Sequence, residues 1–161
     1  MTRTKAMTEA EVYAVRQELN PRWQRIFDIA LFTGWRVGDV LCLRTDKLDN
    51  RKISVFAQKT GKRQEATLPM RLLKAVREDA GQFWAFPSPR DACKPMTREA
   101  AFKALKTACG KAGVSAYSPH SLRKTFARRM LAEGRSVKAV QNALGHLKPE
   151  TTLAYLYDID G

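Results

Sequence analysis

The sequence predicts a mainly α domain carrying one small antiparallel β-sheet, an α+β arrangement. Three observations predict it. Apolar residues recur at helical spacing through most of the chain, between Ser, Thr or Asn caps and closing glycines. One stretch, around residues 53–68, alternates instead with a period of two across a glycine turn. There is no internal repeat, low-complexity segment or interdomain linker, and 161 residues suit one hydrophobic core.

Thr8 and Glu11 form a capping box that opens a helix with Val12, Val15 and Leu19 on one face. Asn20 and Pro21 supply the N-cap and first-turn proline of the next helix. In it Trp23, Ile26, Phe27, Ala30 and Leu31 repeat until Gly34 stops it. A short helix follows from about Arg36 to Leu43, with Val37, Val40 and Leu41 inward. Ile53, Val55 and Ala57 then alternate with Ser54, Phe56 and Gln58 as a strand, Lys59–Arg63 turns around Gly61, and Glu65–Leu68 returns. A third strand is expected near Arg44–Leu48, and Pro69 closes the sheet. Helices resume at about Met70–Ala80 and Thr97–Ala112, the second with Phe102, Leu105, Ala108 and Cys109 in register. Between them Phe83–Pro95 is irregular and punctuated by prolines. Ser118 and Pro119 cap a helix carrying Leu122, Phe126 and Met130. Val137, Val140 and Leu144 mark another, ended by Gly145, and Pro149 opens a last one through about Tyr157.

Hydrophobic residues make up 44% of the chain, enough for a real core. Lys and Arg number 29 against 16 acidic residues, a formal net charge of +13 that calls for a polyanionic partner, nucleic acid before anionic membrane. No apolar run reaches the length of about 20 residues that spans a bilayer. Residues 1–15 lack the apolar stretch of a secretory signal. Cys42, Cys93 and Cys109 are widely spaced and the chain has only two histidines, so neither a disulfide framework nor a zinc site is expected. The expected setting is reduced and intracellular.

A few polar residues stand where phosphate chemistry would use them. His120 and Arg123, three apart, share a face just inside a helix start, where the helix dipole favours an anion. The plain alternative is an exposed basic helix end. Arg36 begins a helix with Asp39 three residues on, a carboxylate able to orient a guanidinium fork; alone, the pair reads equally as a surface ion pair. His146 follows Gly145 at a helix end, and Tyr155 comes nine residues later; singly they read as a cap and a packing residue.

Taken together, TGWRVGDVL, a hairpin with Lys59 at its turn, HSLRKTFA, LGH and then Tyr155 closely resemble the tyrosine recombinase (phage integrase) family, over about Thr8 to Tyr157. The resemblance implies that family's catalytic-domain fold and a site-specific, integrase-type recombinase that cuts and rejoins DNA through a 3′-phosphotyrosyl link. Tyr155 matches the nucleophile, Arg36 and Arg123 the clamp on the non-bridging oxygens, and His120 the manager of the nucleophile's proton. Lys59 matches the general acid, His146 a phosphate hydrogen-bond donor, and Asp39 the support of the first arginine. Tyr157 and Lys62 compete for two of these places; the spacing favours Tyr155, and the KTG context favours Lys59. Lys124 follows the second arginine as a phosphate contact or solvated charge.

The division of labour is chemically coherent. A phenol with a pKa near about 10 needs a proton acceptor and a positive site. Two fixed guanidiniums stabilise charge building on phosphate oxygens, and the covalent link conserves the bond for resealing. The resemblance implies no cofactor and no metal. It implies double-stranded DNA as partner, a homo-tetramer on that DNA, possible accessory DNA-bending proteins, no membrane, and a cytoplasmic, nucleoid-associated location in a bacterial or phage-infected cell. Residues 1–161 are expected to form a single catalytic domain, its core at about 8–157, lacking the family's upstream DNA-clamping domain; tetramers are in doubt for so short a chain. A type IB topoisomerase, with the same chemistry, and a non-catalytic basic DNA-binding module are the competing readings.

Overall fold

The structure, a computed structural model, describes residues 4–49, 51–146 and 148–160. The ends of the domain expected over 1–161 therefore lie partly outside the described residues. Eight α-helices run in order through them: α1 (Glu9–Gln17), α2 (Pro21–Thr33), α3 (Val37–Leu41), α4 (Met70–Asp79), α5 (Arg98–Ala112), α6 (Pro119–Ala132), α7 (Val137–Leu144) and α8 (Pro149–Asp160). Strands β1 (Leu48–Asp49), β2 (Lys52–Phe56) and β3 (Arg63–Thr67) form an antiparallel sheet in that order between α3 and α4. Mainly α with a small antiparallel sheet is thus the architecture.

The local signals act where the sequence puts them. Thr8 and Glu11 exchange both bonds of the capping box, and Asn20 accepts from the Trp23 N–H ahead of Pro21. Gly34 ends α2 in the left-handed conformation, φ 72°, and a Cβ there would run into the Phe126 ring on α6. In the hairpin Ile53 faces Ala66 and Val55 faces Gln64, so one face of β2 enters the core while Phe56 points out.

Several expectations shift. The strand foreseen near Arg44–Leu48 is a 3-10 turn over Thr45–Lys47 followed by β1, because the Arg44 backbone instead bridges to Trp84 and the Thr45 N–H bonds the Phe83 carbonyl. α3 is shorter than the expected Arg36–Leu43, and the returning strand starts at Arg63 rather than Glu65. Phe102 does not join the core stripe of α5: it is 52% exposed, and Ala101 takes the inward position. Ser118 occupies the N-cap position of α6 without a side-chain capping bond.

Two cores result. The larger joins α1 to α5 and the sheet around Ile26, Ile53, Leu73, Phe86 and Leu105, and it admits Met7, whose N–H bonds the buried Thr125 hydroxyl of α6 at 2.9 Å. A smaller one, Ala127, Val140, Leu144 and Tyr155, knits α6, α7 and α8.

Candidate active site

Four segments converge where these cores meet: the α2–α3 corner, the β2–β3 turn, the start of α6, and the α7–α8 corner. Arg36 stands at the N-cap of α3, half-buried. Lys59 sits exposed in the turn, which the Ala57–Lys62 and Gly61–Ala57 backbone bonds close. His120 and Arg123 rise from the first turns of α6, His146 follows Gly145 at the end of α7, and Tyr155 lies on the inner face of α8. A cleft of ≈ 450 Å³ is lined by Arg36, Asp39, Lys59, His120 and Arg123, with Arg98 and Phe102 of α5 on its rim. A second, of ≈ 380 Å³, shares Arg36 and is lined by Lys62 and His146. Larger grooves, one beside α5 and one between α2 and α4, contain none of the candidate residues.

Arg123 is the most constrained of these groups. It is 2% exposed, donating from Nη1 to the Gly34 carbonyl at 2.6 Å and from Nη2 to the Leu144 carbonyl at 2.9 Å. Both acceptors lie at helix C-termini, where the dipole is negative and suits a buried cation. Burial and the neighbouring Arg36 nevertheless lower its pKa. Its Nε, like the Tyr155 hydroxyl, is buried without a hydrogen-bond partner.

Tyr155 is 8% exposed while Tyr157 is 81% exposed, because the two project from nearly opposite sides of α8. The Tyr155 ring meets His120 and His146 edge-on, with centroids at 5.3 and 5.4 Å. Burial raises its pKa; Arg123 and then Arg36 oppose that rise. Arg123 is near enough to favour the phenolate, although no hydrogen bond of good geometry joins the two groups.

Both histidines are pushed down to about 4. For His120 the causes are loss of hydration, then Arg123, Lys124 and Arg36; for His146 they are loss of hydration, then Arg123, Arg36 and Lys59. His120 as a residue is exposed, so solvent tempers its drop, and the surrounding cations fix its direction. At neutral pH both rings are neutral, able to accept or donate a proton. His146 Nδ1 lies 2.9 Å from the buried Thr152 hydroxyl.

Asp39 differs from expectation. Its buried carboxylate accepts from the Gln58 N–H at 3.0 Å and the Gln64 side chain at 3.3 Å, tying α3 to the hairpin, and among the described residues no ion pair to Arg36 accompanies these bonds. Lys124 is no solvated charge: it is 4% exposed. Sequence reasoning missed Thr152, Gln58 and Gln64. Thr152 had a signal, lying three residues before Tyr155 on the same helical face; the glutamines had none. Among the described residues no three His, Cys, Asp or Glu side chains gather to hold a metal, and no helix is long and apolar enough to cross a membrane.

The model of the Phage integrase family matches residues 4–160. Tyrosine recombinase XerD of Rhizobium meliloti is 29% identical over 173 residues, covering 99% of this chain and 55% of XerD. The XerA recombinase structure is similar with a TM-score of 0.79 at 24% identity, over 93% of this chain and 57% of that one. The catalytic domain of bacteriophage HP1 integrase gives a TM-score of 0.72 at 21% identity, over 97% of this chain and 89% of that domain. The chain spans about half the length of the curated relatives it matches.

Proposed function

We propose, since this chain belongs to the phage integrase family, that it is the single catalytic domain of a site-specific DNA recombinase working through a 3′-phosphotyrosyl intermediate. The observation that carries the reading is the buried Tyr155 hydroxyl, without a hydrogen-bond partner, beside two neutral imidazoles and a fixed arginine. The net charge of +13 favours double-stranded DNA as substrate.

In this reading a backbone phosphate enters the cleft lined by Arg36, Lys59, His120 and Arg123. Arg36 and Arg123, which both line the cleft, clamp its non-bridging oxygens. Tyr155 Oη attacks phosphorus and gives its proton to His120, which must be neutral to receive it; the depressed pKa keeps it so. The bond from phosphorus to the 5′-oxygen breaks, and the Lys59 ammonium protonates the leaving oxygen. In the tautomer whose Nδ1 accepts from the Thr152 hydroxyl, His146 carries its proton on Nε2 and donates it to the phosphate. Charge accumulating on the equatorial oxygens thus faces preset donors and cations. Resealing is the reverse, with a 5′-hydroxyl attacking the phosphotyrosine, and it consumes no ATP. Asp39 supports the site by holding the hairpin that carries Lys59. Strand exchange between two duplexes requires several copies, so a homo-tetramer on DNA, accessory DNA-bending proteins and a cytoplasmic, nucleoid-associated location belong to the same reading.

The test is a nicked suicide substrate carrying the recombination site, taken from DNA flanking the gene. The chain should form a covalent adduct that EDTA does not prevent, mapped by peptide mass to Tyr155. Tyr155→Phe should bind DNA nearly as well and form none; an undiminished adduct rejects the assignment.

A further inference from the structure

Lysine is seldom fully buried, because its ammonium loses hydration that few protein sites replace. Lys124 follows Arg123 directly on α6 and is buried all the same. Its Nζ lies over the Tyr155 ring, 5.3 Å from the centroid. The two imidazoles meet that ring nearly perpendicular, at interplanar angles of 87° and 78°. The phenol is therefore gripped by one cation and two rings, while its apolar support is the small core of Ala127, Val140 and Leu144. An apolar side chain of equal length would fill the space without adding to the positive charge that already depresses His120. The Tyr155 ring is one of the groups that the ammonium meets, and it attracts the charge. A cation over an aromatic face is held by the ring's quadrupole, and that attraction grows as a phenol becomes a phenolate.

We propose that Lys124 is a positioning residue for Tyr155: its ammonium, packed over the ring, seats the phenol between the two imidazoles and meets the negative charge that develops on attack. The proposal rests on reading Tyr155 as the nucleophile. An interaction that strengthens along the reaction raises the rate at saturation and leaves substrate affinity nearly unchanged.

Two variants of the 161-residue chain separate charge from packing. Lys124→Met keeps the stem and removes the ammonium, and Lys124→Arg keeps a cation. With saturating suicide substrate, Lys124→Met should form adduct about tenfold more slowly. Its DNA affinity should stay within about threefold of the parent. Lys124→Arg should retain most of the rate. Without DNA, backbone amides of α8 should exchange about tenfold faster in Lys124→Met and at nearly the parent rate in Lys124→Arg. An unchanged saturated rate in Lys124→Met overturns the proposal, and weaker binding alongside it would make Lys124 a phosphate contact. Unchanged α8 exchange also overturns it. If the parent chain forms no adduct at all, the recombinase reading falls separately, and the exchange measurement still decides whether Lys124 seats the ring.

Discussion

Arg123→Ala removes a guanidinium that joins three helices, and its effect on stability can be worked from the contacts. Two hydrogen bonds disappear, to the carbonyls of Gly34 and Leu144. Bonds involving a charged partner contribute about 1.5–3 kcal/mol each, so the gross loss is roughly 3–6 kcal/mol. Two effects oppose it: the guanidinium no longer has to be desolvated, and its repulsion with Arg36 vanishes. Water entering the vacated space also re-satisfies part of the two carbonyls. The bonds should win, leaving a net destabilisation of about 2–3 kcal/mol. With a urea slope near about 2 kcal/mol/M, the unfolding midpoint falls by roughly 1–1.5 M. Trp35, buried beside Gly34, makes tryptophan fluorescence a fitting probe. Arg123→Lys, with one donor group in place of a fork, should lie between. Arg36→Ala should change stability by less than about 0.5 kcal/mol while abolishing adduct formation. A midpoint for Arg123→Ala at or above that of the parent would refute the reasoning, showing that Arg123 is held in place at the expense of stability.

Three further outcomes are expected. Because His120 and His146 are pushed down to about 4, the unfolded chain takes up protons that the folded chain refuses, so their contribution is complete above about pH 6.5 and is lost as pH falls toward about 4. Urea midpoints should fall across that window, and His146→Gln should flatten part of the fall. Asp39→Ala removes the acceptor for the Gln58 N–H and the Gln64 side chain; that amide should exchange at least about tenfold faster, and adduct formation should slow. Gly34→Ala forces a left-handed residue to carry a Cβ against Phe126 and should cost more than about 2 kcal/mol in the same urea assay.

The capping box at Thr8, the Asn20–Pro21 start and the glycine stops at Gly34 and Gly145 act as their local chemistry dictates, because each needs only residues within a turn of itself. The order of Arg36, Lys59, His120, Arg123, His146 and Tyr155 was equally legible as a pattern. Other features were not. Phe102 continues the helical stripe of α5 in sequence, yet it is exposed and lines the cleft, while Ala101 packs inward with Leu105, Ala108 and Cys109. Arg44 is barred from the sheet by a bridge to Trp84, far along the chain.

The sequence by itself determined the capped helix starts, the glycine stops and the hairpin, and which residues are chemically able to handle a phosphate, since both depend on side-chain type and short-range spacing. Only the tertiary structure decided that Asp39 binds the hairpin, that Arg123 bonds two helix ends, and that Lys124 lies buried over Tyr155. Those contacts join residues of separate elements, and burial, hydration and charge at each depend on what the fold brings beside it. No local pattern encodes that.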